Sequence, residues 1–95
     1  MREKEIEKKL VDGIRKLGGR AYKWVSPGND GVPDRIVFLP EGLVLFVELK
    51  TETGKLTALQ EVQIGRLKVL GQNVRVLHGI REVEEFLRWC EDYGI

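Results

Sequence analysis

Apolar residues recur at two periods along this chain, and the switches between the periods mark out its elements. Ile6, Leu10, Ile14 and Leu17 fall at helical spacing and predict a helix from about Arg2 to Leu17, stopped by Gly18-Gly19. "RAYKWVS" then alternates Ala21 and Lys23 against Tyr22 and Trp24, which reads as a strand ended by Ser26-Pro27-Gly28. "SPGNDGVPD" follows as a loop. "RIVFLP" and "LVLFVELK" are β-branched and aromatic runs joined at Pro40-Glu41-Gly42, a spacing that suits a hairpin. Helical periodicity returns from Leu56 to Leu70 with Thr57 placed to cap it, "NVRVLH" is a short strand after Gly71, and Val83, Phe86, Leu87 and Cys90 mark a last helix in "REVEEFLRWC". The predicted order is α-β-β-β-α-β-α. It implies an α/β fold with a mixed four-stranded sheet flanked by helices: three strands in a hairpin or meander, and a fourth that a crossover helix can set parallel to the third.

A few polar residues break this pattern. "LVLFVELK" reads as a strand buried on both faces, yet Glu48 and Lys50 stand at its end, on the same side as Val44 and Phe46. A buried charge is costly unless something compensates it. Two readings fit: an ion pair at a wet strand end, or part of a site. In "GVPDR", Gly31 permits a turn, Pro33 fixes the backbone, and Asp34 is the first residue able to enter the next strand. A hairpin across Pro40–Gly42 would bring Asp34 near Glu48 or Lys50. Convergent carboxylates are the hard oxygen ligands that Mg²⁺ or Mn²⁺ takes.

The helices carry matching anomalies. On a wheel of roughly 100° per residue, Glu3 and Glu7 fall within the apolar arc of Ile6, Leu10, Val11, Ile14 and Leu17. Glu3 lies in the first turn, where the helix dipole favours an exposed acid, whereas Glu7 is deeper and faces the sheet. In the second helix Gln60 and Gln63 fall among Leu56, Leu59, Ile64, Leu67 and Leu70. A buried glutamine needs partners, and Gln60, in the first turns of the helix that follows the charged strand, is placed to meet Glu48 and Lys50; the alternative is a helix-border glutamine facing water.

Composition narrows the class without choosing a partner. The 95 residues, 42% of them hydrophobic, fit one domain spanning residues 1–95 with a modest core. A formal net charge of +1 neither predicts nor excludes a polyanionic partner. One cysteine, Cys90, cannot form an internal disulfide, and no Cys and His stand at metal-ligand spacing, which points to a reducing compartment. The N-terminus is charged throughout and no run of 18 apolar residues occurs, so the expectation is a soluble, cytoplasmic protein without a membrane partner or an organic cofactor.

Taken in order, Glu7, "GVPDR", "ELK" and Gln60 resemble the VRR-NUC family of the PD-(D/E)XK nuclease superfamily, with Pro33-Asp34 as the PD and Glu48-Leu49-Lys50 as the (D/E)XK. The similarity runs from the first helix through "AYKWVSPGNDGVPDR" and "VELKTETGKLTALQ" to "NVRVL". It implies a restriction-endonuclease-like core and a metal-dependent phosphodiesterase. Glu7, Asp34 and Glu48, with the carbonyl of Leu49, then hold Mg²⁺ or Mn²⁺, Lys50 takes the place of the catalytic lysine, and Gln60 stands beside it. The helix-one ligand is open between Glu7 and Glu3. Between the stand-alone, phage-like members and those that carry the domain at the end of a longer nuclease or helicase, the resemblance is closer to the former, which look like Holliday-junction resolvases and act as dimers.

That likeness sets the remaining expectations. DNA contacts are expected from Lys23, Arg35 and Lys55, with Trp24 stacking on or wedging against a base, although a tryptophan so placed is more often core than wedge. A body of this size covers about one turn of duplex, so a four-way junction calls for a homodimer. The alternatives are a flap, nick or single-strand nuclease, or a nucleic-acid-binding module without catalysis.

Overall fold

The computed structural model describes Glu3 to Gly94; Arg2, where the predicted first helix begins, lies outside the described residues. The elements are α1 (Glu3–Lys16), β1 (Arg20–Lys23), β2 (Arg35–Leu39), β3 (Leu43–Lys50), α2 (Ala58–Val69), β4 (Val74–His78) and α3 (Gly79–Gly94). The sheet order is β1-β2-β3-β4. The first three strands form an antiparallel meander, and β4 lies parallel to β3 after the crossover through α2. Among the described residues no helix is long and apolar enough to cross a membrane.

Strand alternation gives the sheet two unlike faces. Ala21, Val37, Leu39, Leu45, Val47 and Leu77 share the face that α1 and α3 cover, where they pack with Ile6, Leu10, Ile14, Val83, Phe86 and Cys90 into one core. α1 presses on α3 closely enough that a side chain on Gly13 would run into Leu87. The other face holds the aromatic pairs Tyr22–Phe38 and Trp24–Phe46, at centroid distances of 5.9 and 5.3 Å. α2 packs along β4, and Ile64 is its one buried residue.

Three expectations change in detail. β3 is not buried on both faces: Val44 is 38% exposed and Phe46 half-buried, because α2 leaves much of the second face open. The strand is anchored instead by Leu45 and Val47, both fully buried. β1 ends at Lys23 rather than Ser26, since Lys23 already pairs with Arg35, the first residue of β2, and one last bond from Trp24 N–H to the Asp34 carbonyl (2.9 Å) closes the ladder. α3 begins at Gly79, two residues ahead of the predicted start, because Glu82 folds back to accept the His78 N–H at 2.8 Å and ties the first turn to the end of β4.

Candidate active site

The strand ends that carry Asp34, Glu48 and Lys50 meet the start of α2 and the first turns of α1 around one cavity of about 260 Å³, lined by Glu3, Ile6, Glu7, Asp34, Glu48, Leu49, Lys50 and Gln60. Pairing of β2 with β3 is what brings Asp34 beside the ELK segment, as the hairpin predicts. Asp34 Oδ2 accepts the Leu49 N–H at 2.9 Å, so the aspartate is tied to the backbone of the neighbouring motif.

Glu48 is the only charged side chain buried among the described residues, at 2% exposure. Burial pushes its carboxyl up to about 7, the Asp34 charge pushes the same way, and Lys50 pulls against both. Lys50 Nζ stands 3.7 Å from Glu48 Oε2, and Gln60 Nε2 donates to the same oxygen at 3.0 Å. The other oxygen, Oε1, is buried with no hydrogen-bond partner. A desolvated carboxylate oxygen left bare is unfavourable, which makes it a place that a cation or a proton completes.

Gln60 has a second task that fixes its orientation. Thr57 and Gln60 form a capping box: Thr57 Oγ1 accepts the Gln60 N–H at 3.1 Å, and Gln60 Oε1 accepts the Thr57 N–H at 2.9 Å. With its oxygen committed to Thr57, the amide turns its NH₂ toward Glu48. Thr57 thereby orders the site without touching it. Helical periodicity marks Thr57 only as a cap, although Thr57-x-x-Gln60 is itself the capping-box signature.

The predicted ligands do not close into a cage. Among the described residues no three Asp, Glu, His or Cys side chains converge as a metal-binding group. Asp34 and Glu48 meet, while Glu7 sits on the rim with Oε2 3.2 Å from Arg35 Nη2. Glu3 is exposed and lines the same cavity. Of the residues expected to meet DNA, Lys23 and Lys55 are exposed and Trp24 is half-buried against Phe46. Arg35 points inward: Nη1 donates to the Ala21 carbonyl at 3.0 Å, Nη2 faces Glu7, and the side chain is 14% exposed. Alternation along β2 turns it to the α1 side, away from Asp34.

A mixed sheet that ends in an Asp–Glu–Lys group, with helices on its flanks, defines a PD-(D/E)XK nuclease core. The VRR-NUC domain family matches residues 3–81, and the chain belongs to that family. It is 53% identical over 77 residues to the protein named "Putative nuclease p44" from Acyrthosiphon pisum secondary endosymbiont phage 1, a match that covers 81% of this chain and 83% of the relative. It is also similar to a solved VRR-NUC domain, with a TM-score of 0.86 and 31% identity, over 90% of this chain and 94% of the other. The chain is therefore a nuclease domain of a fold whose nucleases are typically divalent-metal dependent.

Proposed function

We propose that the protein is a Mg²⁺- or Mn²⁺-dependent structure-specific DNA endonuclease that cuts four-way junctions as a homodimer. The observation that carries the reading is Glu48: a buried carboxylate with a bare oxygen, set beside Asp34 and braced by Lys50 and Gln60. Asp34, Glu48 and the carbonyl of Leu49 are hard oxygen donors suited to such an ion, with Glu7 at the rim. When bound, the ion lowers the pKa of a coordinated water and offsets the charge of the phosphate.

The chain supplies the rest of the chemistry. In hydrolysis a water oxygen bonds to phosphorus as one ester P–O bond breaks; the water gives up a proton, the departing ester oxygen takes one from solvent, and negative charge builds on the phosphoryl oxygens in between. Lys50 Nζ lies 3.7 Å from Glu48 Oε2, which supports its orienting the attacking water, taking its proton, or donating to that charge. Gln60 holds Glu48 in one rotamer, and the Leu49 N–H holds Asp34. Exposed Lys23 and Lys55 supply phosphate contacts, and Trp24 a surface for a base.

Size and surface support two copies. The molecule measures 33 × 31 × 20 Å, near the ~34 Å of one duplex turn. Leu59, Val62 and Val69 are exposed along α2 and Leu70 just past its end, and Val62, Gly65 and Val69 fall at the spacing of a helix–helix seam. Glu61 and Lys68 flank that seam one heptad apart. Two α2 helices packed antiparallel about Gly65 would set Glu61 of one copy against Lys68 of the other, so the surface complements itself.

Cleavage of labelled four-way junctions, flaps, nicked duplex, linear duplex and single strands, each with Mg²⁺, Mn²⁺ or EDTA, tests the reading. Paired symmetric nicks in junctions that vanish in EDTA and in Glu48→Ala are expected. Preferential cutting of flaps or single strands would replace the junction reading, and junction binding with cleavage unaffected by Glu48→Ala would leave a binding module.

A further inference from the structure

Arg35 follows Asp34 directly, yet it faces the opposite side of β2 and joins three elements there. Nη1 is anchored on the Ala21 carbonyl of β1 at 3.0 Å, Nη2 lies 3.2 Å from Glu7 Oε2 of α1, and Nε is buried without a partner. The arginine side chain is 14% exposed and the glutamate 45%. The guanidinium is thus the fixed member of the pair. A planar fork pinned at one nitrogen presents the next in a set direction, whereas a lysine's ammonium, one freely rotating nitrogen, fixes no such direction.

We propose that Arg35 is a positioning residue of the active site: it holds Glu7 on the rim of the cavity that Asp34 and Glu48 line and, through Glu7, sets how tightly the site takes a divalent cation. This rests on the metal-dependent reading above. Left alone, a half-exposed glutamate on a surface helix samples several rotamers, and presenting its carboxylate to the cavity costs that freedom. Arg35 removes the cost in advance, as partners of metal-site carboxylates do. Its own positive charge works against a cation. The substitution that isolates positioning is therefore Arg35→Lys, which keeps the charge and loses the fork.

The test is Mn²⁺ binding by the intact protein, read from the loss of the free-Mn²⁺ electron paramagnetic resonance signal, so no cleavage is needed. Wild type, Arg35→Lys, Arg35→Met, Glu7→Gln and the two double variants form a cycle. Arg35→Lys is expected to weaken Mn²⁺ binding about tenfold, and neither arginine substitution to weaken it further once Glu7 is Gln. Circular dichroism checks folding; if Arg35→Met does not fold, Arg35→Lys with and without Glu7→Gln completes the cycle alone. Wild-type affinity in Arg35→Lys overturns the proposal, as does a loss that persists in the Glu7→Gln background, which would mark Arg35 as acting through the fold or its field. Absence of Mn²⁺ binding by wild type would instead defeat the metal-dependent reading itself.

Discussion

Glu48 makes the protein's stability respond to pH in a direction opposite to that of an ordinary surface acid. Its carboxyl sits at about 7 in the folded chain against an ordinary value of 4.5, so the folded state takes up a proton the unfolded chain does not. That contribution is complete below about pH 4.5 and is lost as pH rises through 7, a change on the order of 3 kcal/mol. In EDTA, the melting temperature is expected to fall over this window, and Glu48→Gln to flatten the fall; a wild-type curve that rises across it would contradict the burial of an ionisable acid. Added Mg²⁺ or Mn²⁺ is expected to raise the melting temperature at pH 7.5, and Asp34→Ala to remove most of the rise. Asp34, Glu48 and Lys50 were legible as a group in the sequence because a hairpin across Pro40–Gly42 brings the strand ends together, whereas Glu48 and Lys50 alone also fitted an ion pair at a wet strand end. The commitment of Arg35 was not: which way it faces depends on where β2 begins, and one residue of register separates a DNA-facing arginine from one facing α1.

At the scale of elements, the turn before Asp34 and the cap of α2 hold the two halves of the site together. Gly31 has φ +93°, and a Cβ there would lie 2.6 Å from the Leu59 carbonyl. Gly31→Ala is expected to lose roughly 1–3 kcal/mol in urea unfolding and to displace the start of α2, so that cleavage falls further than stability alone accounts for. Thr57→Ala removes the cap, about 1 kcal/mol, and frees the amide of Gln60. Cleavage measured where the variant is fully folded should still drop, while Thr57→Ser should restore it; equal activity in Thr57→Ala would show that the cap does not order Gln60. The elements themselves were largely readable, since their periods are strong and Gly and Pro punctuate them. What the pattern could not show was the coverage of the second sheet face, because exposure of Val44 and Phe46 is decided by where α2 lands rather than by their own residue type.

For the molecule as a whole, the apolar outer side of α2 predicts assembly. Val62→Glu with Val69→Glu is expected to halve the mass seen by light scattering after size exclusion and to turn paired junction nicks into single, uncoupled ones. An unchanged mass would place the contact elsewhere or leave the protein a monomer. α2 is also thinly attached, with Ile64 as its single buried residue, although it delivers Gln60 to Glu48. A helix so held can open while the β-meander and the α1–α3 layer persist. Heat should then silence the nuclease some degrees before it melts the fold. If a second copy clamps the same helix, dilution alone should lower the temperature of inactivation while leaving the melting of the sheet where it was.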